Sequence, residues 1–134
     1  VSINKMDVLL DTTIIVDFLR GEVKVADYLK NLTFPTISIV TEAEIYQGAR
    51  SKNDNTNWEK FFVRFNILPI TPGISQLAIE LIKKYRLSHG LHILDAFIIS
   101  TAIIYKLAIV TSNTKHFRYF KGLKLVSWPP PAHV

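Results

Sequence analysis

The chain has 134 residues, 49% of them apolar, no cysteine, and a formal charge of +5. A length of this order suits one domain with its own core, and the absence of thiols excludes disulfides, thiolate zinc sites and cysteine nucleophiles. No apolar run reaches the roughly 18–20 residues that cross a bilayer, and the opening VSINKMDVLLD meets an acid too soon to be a signal peptide, so a soluble cytoplasmic protein with no membrane association is expected.

In chain order, DVLLD from Asp7 to Asp11 reads as a short buried strand with an acid at its end. TTIIVDFLRG follows as a helix ending near Gly21, and residues 22–32 repeat at helical spacing. Pro35 breaks the chain before TISIV, a second β-rich run. Thr41 to about Lys52 reads as a helix, SKNDNTN as a polar turn, and Trp58, Phe61, Phe62 and Phe65 as core residues at helical spacing. ILPI is a third strand, stopped at Thr71-Pro72-Gly73, and Ile74, Leu77, Ala78, Leu81, Ile82 and Tyr85 form one apolar helical stripe. SHGLH reads as a loop with two histidines, Ile93 to Tyr105 as a strongly apolar helix, and LAIVT as a buried strand. TSN is a turn, TKHFRYF a short helix, LKLVSW a last strand, and the proline-rich end from about residue 129 cannot continue a sheet.

Strands alternating with helices predict a single α/β unit over residues 1–134, with a mostly parallel sheet covered on both faces. In such sheets ligands gather at the carboxyl ends of the strands. Residues 1–80 hold eight Lys/Arg and ten Asp/Glu, a net of −2, whereas residues 81–134 hold eight and one, a net of +7. The basic part suits an acidic partner, such as nucleic acid or an acidic protein segment, or is a solvated surface.

The lone acid of that basic part is Asp95, inside ILDAFIISTAII. A carboxylate there either sits at the positive end of a helix or faces a cleft, because a buried unpaired one is costly. Asp11 ends a strand and opens a helix, as an N-cap or as the floor of the cleft; Thr12 and Thr13 offer caps in its place. Glu44 has two readings as well, since Thr41 and Glu44 match a capping box. Together Asp11, Glu44 and Asp95 would form a carboxylate cluster that needs a cation. Oxygen ligands without sulfur suit Mg²⁺ or Mn²⁺, and with a basic surface beside them the natural chemistry is phosphodiester hydrolysis. His89 and His92 are metal candidates or solvated loop residues, and Lys115, Arg118, Lys121 and Lys124 are RNA-phosphate contacts or solvated charges.

Four segments resemble the motifs of PIN-domain proteins in the right order across nearly the whole chain. LLDTTIIVDFLRG is similar to the first, with its acid after a strand; TEAEIYQGAR to the second, with Glu44, Ile45 and Gly48; LDAFIISTAI to the third; and LAIVTSNTKHF to the fourth. The nearest subgroup is the VapC type of bacterial and archaeal toxins. The resemblance implies a three-layer α/β/α sandwich and an Mg²⁺- or Mn²⁺-dependent endoribonuclease, the toxin of a toxin–antitoxin pair. It assigns ligand or catalytic roles to Asp11, Glu44 and Asp95, with Asp11 and Asp95 as direct metal ligands and Thr111 and Asn113 orienting the site by hydrogen bonds. It also implies a homodimer, an RNA substrate and a cognate antitoxin protein.

The chain departs from the pattern twice. Thr13 stands where the family has Asn or Ser, keeping a hydroxyl, and His116 stands at the fourth acid. Imidazole is a poor Mg²⁺ ligand and adds no negative charge, which leaves open a PIN-like module that binds RNA or protein without catalysis. A haloacid-dehalogenase-like phosphatase would need an acid at Thr13 and is disfavoured.

Overall fold

A computed structural model describes residues 8–127. Five short strands and six α-helices run in the order β1 (Val8–Leu10), α1 (Thr12–Leu19), α2 (Val23–Lys30), β2 (Thr36–Ser38), α3 (Ile39–Gln47), α4 (Lys52–Phe62), β3 (Asn66–Leu68), α5 (Pro72–His89), α6 (Ile93–Tyr105), β4 (Ala108–Thr111) and β5 (Leu125–Ser127), with one 3-10 turn at Thr114–His116. The proline-rich end lies outside the described residues.

Every pairing is parallel. One ladder has the order β1-β4-β5 and the other joins β2 to β3. β2 lies beside β1, so the spatial order is β3-β2-β1-β4-β5. Chain progression therefore reverses around β1 and β4, the switch point at which open parallel sheets bind ligands.

Alternation along the strands separates two cores. Val8, Leu10, Ala108 and Val110 face Ile14, Ile15, Val25, Leu29, Ile45 and Phe62 from α1 to α4. Leu9 and Ile109 face the opposite way, onto Ala78, Ala96, Ile98, Ile99 and Ala102 from α5 and α6. Strands apolar on both faces are what a covered parallel sheet requires, and the result is the expected three-layer α/β/α arrangement. Each fully buried Leu or Ile contributes about 1.5–3 kcal/mol against exposure. Among the described residues no helix is long and apolar enough to cross a membrane.

Several boundaries differ from the sequence reading. The polar run 51–57 is not a turn but the opening of α4. Ser51 caps it, accepting from the Asp54 N–H at 3.1 Å, and Asp54 accepts in return from the Arg50 N–H at 2.9 Å. Most of this helix is exposed, so its residues are polar and apolar periodicity does not report them. The second β-rich run stops at Ser38, because the Ser38 hydroxyl accepts from the Val40 N–H and starts α3 there. That helix ends at Gln47, short of Lys52. TKHFRYF makes only the 3-10 turn, since Phe117 and Phe120 turn inward to the core. α5 begins at Pro72 with Thr71 as its cap and ends at Gly90, whose φ of 68° is the left-handed geometry that glycine adopts without strain.

Candidate active site

The carboxyl ends of β1 and β4 define the floor of the cleft. The Asp11 N–H donates to the Val110 carbonyl at 2.9 Å, extending the ladder by one residue and setting Asp11 beside Thr111. Asp11 occupies the N-cap position of α1, but its side chain makes no capping bond. The carboxylate is 4% exposed. Its Oδ2 accepts from the Thr111 hydroxyl at 2.8 Å and from the Thr13 hydroxyl at 3.0 Å. Thr111 is fully buried and also accepts from the Asn113 N–H at 2.9 Å. The Asp11 carboxylate thus takes its hydrogen bonds from two hydroxyls on one oxygen and not from the helix N-terminus it precedes.

Glu44 is not part of a capping box. Thr41 lies inside α3, because Ser38 has taken the cap. Instead Glu44 Oε1 accepts from the Thr12 hydroxyl at 2.7 Å, and Thr12 Oγ1 lies 2.9 Å from Thr41 Oγ1. The buried Thr41 thus belongs to the relay that orients Glu44.

Asp95 stands in the first turn of α6, behind His92, whose Nδ1 accepts from the Leu94 N–H at 3.5 Å. Both readings of Asp95 therefore hold at once, since the first helical turn places it at the positive dipole and on the cleft. Burial pushes its pKa above the usual carboxylate range, and the Asp11 charge adds to the push. The imidazoles of His116 and His92 oppose it, and Glu44 adds a smaller rise. The three carboxylates line one cleft of about 740 Å³, in which the charges of Asp11 and Glu44 act on Asp95.

His116 brings Nδ1 to 3.4 Å from Asp95 Oδ2 and is largely exposed. Asn113 acts through its backbone on Thr111, while its side-chain Nδ2 lies 3.3 Å from His116 Nε2 rather than on a carboxylate. Lys115 lines the cleft and Arg118 does not. His89 ends α5 and His92 caps α6, so neither belongs to a free loop, and both line the cleft. The sequence reading missed Thr12 as the Glu44 partner, and also Asp17, Arg20 and Tyr119 in the lining. Val16, Asp17 and Arg20 follow Thr13 at the i+3, i+4 and i+7 spacing of one helical face, a signal that could have shown that one face of α1 forms a wall.

A family model for the PIN domain matches residues 8–122. The chain belongs to the PIN-domain family. Ribonuclease VapC19 of Mycobacterium tuberculosis is 33% identical over 121 residues, which cover 87% of this chain and 96% of that protein. Ribonuclease VapC10 of the same organism is 31% identical, covering 87% and 90%. In three dimensions the PIN fold of this chain is similar to a toxin–antitoxin complex from Klebsiella pneumoniae, with a TM-score of 0.73, 28% identity and coverage of 87% and 94%.

Whether this PIN cleft suits a divalent ion is a question of donors. Asp11, Glu44 and Asp95 offer hard oxygens; burial first, and the charges of Asp11 and Glu44 after it, raise the Asp95 pKa, and a cation would offset both. Among the described residues no three Asp, Glu or His groups are gathered closely enough to enclose an ion as they stand. The donor set fits in kind, and Glu44 and Asp95 are both only partly buried.

Proposed function

We propose that this PIN-domain protein is a metal-dependent endoribonuclease, hydrolysing RNA phosphodiester bonds, and the toxin of a toxin–antitoxin pair. The observation that carries the reading is the cleft at the β1/β4 switch point, where Asp11, Glu44 and Asp95 share one charged space. Similarity to two proteins named ribonuclease over most of the chain supports the same chemistry.

Asp11 and Asp95 would hold Mg²⁺ or Mn²⁺ directly, with Glu44 completing the negative set. Such an ion, when bound, neutralises phosphoryl charge and makes water more acidic. The chain's own groups do the rest. Thr111 and Thr13 lock the Asp11 carboxylate in one orientation, and Thr12 does the same for Glu44. Arg20 and Lys115, on the walls, place positive charge where a phosphate backbone would pass. His116 lies at the fourth-acid position and, when neutral, adds no negative charge, so this site relies on three carboxylates.

An antitoxin partner follows from the likeness to a toxin–antitoxin complex, with the basic part of the chain as its charged contact surface. A homodimer is supported by exposed Ile79, Ile93, Ile103 and Ile104 on α5 and α6, and light scattering measures it.

The test is RNA cleavage by the purified protein with Mg²⁺, Mn²⁺ or chelator, with Asp11→Asn as control. Cleavage that needs an ion and falls at least about tenfold in Asp11→Asn is expected. Full activity of a folded Asp11→Asn protein would overturn the assignment. RNA binding without cleavage under any ion would favour the second reading, a non-catalytic module, to which the imidazole at His116 points.

A further inference from the structure

One wall of the cleft is aromatic, and the hydrolytic reading makes no use of it. His89 and Tyr119 stack with ring centroids 4.1 Å apart and planes 11° from parallel. The two residues are 30 positions apart in sequence and meet only in the fold. Behind them stand Tyr85, 5.4 Å from Tyr119 and edge-on to His89 at 5.8 Å, and the buried Phe120, 4.3 Å from Tyr119. The stack is thus supported from the core side. His89 itself is exposed, and among the described residues no further ring covers its outer face.

This is a poor arrangement for packing alone, which would bury the imidazole. It is a good one for a shelf. His89 is fixed by the last turn of α5, which Gly90 terminates in a left-handed conformation, and its Nδ1 lies 2.8 Å from the Ser88 hydroxyl. Both rings line the same cleft as Asp11, Glu44 and Asp95. A flat π-surface next to a site for phosphodiester chemistry matches one ligand feature above others, an unstacked nucleobase.

We propose that the His89–Tyr119 stack is a base-binding shelf, on which one unpaired nucleobase of a single-stranded RNA lies while its phosphate backbone passes the three carboxylates. This inference rests on the ribonuclease reading and adds to it a binding residue, His89, and a base contact made by stacking. Stacking tolerates any base but favours the larger purines, because they present more ring surface. His89 binds and positions; it does not touch the reacting atoms.

The experiment compares wild type with His89→Ala, His89→Phe and Tyr119→Phe. Affinity is measured in chelator for a short oligoadenylate, a short oligouridylate and inorganic polyphosphate, and cleavage kinetics are measured with Mg²⁺ and with Mn²⁺. His89→Ala should weaken oligoadenylate binding about tenfold and oligouridylate binding less, with polyphosphate unchanged. It should raise KM with little change in kcat, since the lost contact is equal in ground and transition states. His89→Phe should restore binding, and Tyr119→Phe should leave it intact, because both keep the stack. Should His89→Ala fail to fold, the purine preference of wild type and of His89→Phe carries the test. Wild type that cleaves RNA while His89→Ala binds and cleaves as well as wild type sinks the shelf alone. An equal loss for polyphosphate makes His89 a charge contact and also sinks it, as does weakened antitoxin binding with unchanged oligonucleotide binding. Wild type that neither binds nor cleaves RNA with either ion removes the ribonuclease reading and the shelf together.

Discussion

Replacing Thr111 with valine isolates what holds Asp11 in place. Valine keeps the branched shape at a fully buried position and removes only the hydroxyl. Two bonds vanish: the one donated to Asp11 Oδ2 at 2.8 Å and the one accepted from the Asn113 N–H at 2.9 Å. A bond to an ionised acceptor contributes about 1.5–3 kcal/mol and a neutral one about 1 kcal/mol. The added methyl returns roughly 0.8 kcal/mol through burial. The net cost is about 2–3 kcal/mol, a fall in Tm of roughly 10 °C for a chain of this length. Thermal and urea unfolding should be followed in chelator, so that bound ions do not add their own stabilisation. Thr111→Ser, which keeps the donor, should lose less and retain cleavage. In a double-mutant cycle with Asp11→Asn the pair should couple by about 1 kcal/mol or more. Stability of Thr111→Val within about 0.5 kcal/mol of wild type, or strict additivity with Asp11→Asn, would refute the hydroxyl clamp.

Four further outcomes are expected. Asp95→Asn should lower cleavage at least about tenfold while changing the pH profile of stability. The folded Asp95 pKa is raised by burial and then by Asp11, so its contribution to stability is full below the unfolded value near 3.8 and is lost as pH rises through the folded one. Wild type in chelator should show that decline and Asp95→Asn should lack it; parallel curves would contradict the coupling. Glu44→Gln should reduce cleavage with little change in Tm, because the amide oxygen still accepts from Thr12 at the 2.7 Å position, and a large loss of Tm with normal activity would make Glu44 structural. His116→Asp should raise Mg²⁺-dependent cleavage relative to Mn²⁺, since it restores a hard anionic ligand beside Asp95; an unchanged metal ratio would place His116 outside the ion's reach. Ser100→Ala should stabilise the fold by about 1 kcal/mol, because the buried Ser100 hydroxyl has no hydrogen-bond partner among the described residues, and chemical denaturation with a lower midpoint than wild type would show that a partner exists.

Local chemistry made much of this protein legible in its amino-acid order. Ile93–Tyr105 and the strand ending at Thr111 were readable because long apolar runs with clear breaks report burial directly. Asp11 and Asp95 stood out for the same reason, as single acids at the edge of apolar segments. α4 did not, because its first turns face water and only the Ser51–Asp54 cap marks them. Glu44 shows where sequence runs out. A capping box with Thr41 and a place in the cleft were equally compatible with the local spacing, and the choice fell to Thr12, 32 positions away. The clamp on Asp11 reaches across 100 positions, and the His89–Tyr119 stack joins two separate elements. Periodicity, caps and turns act within a few residues, so they can be read from neighbours. Which distant group satisfies a carboxylate or covers a ring depends on the strand order β3-β2-β1-β4-β5, which brings the ends of β1 and β4 together, and that order is set by the packing of both cores at once.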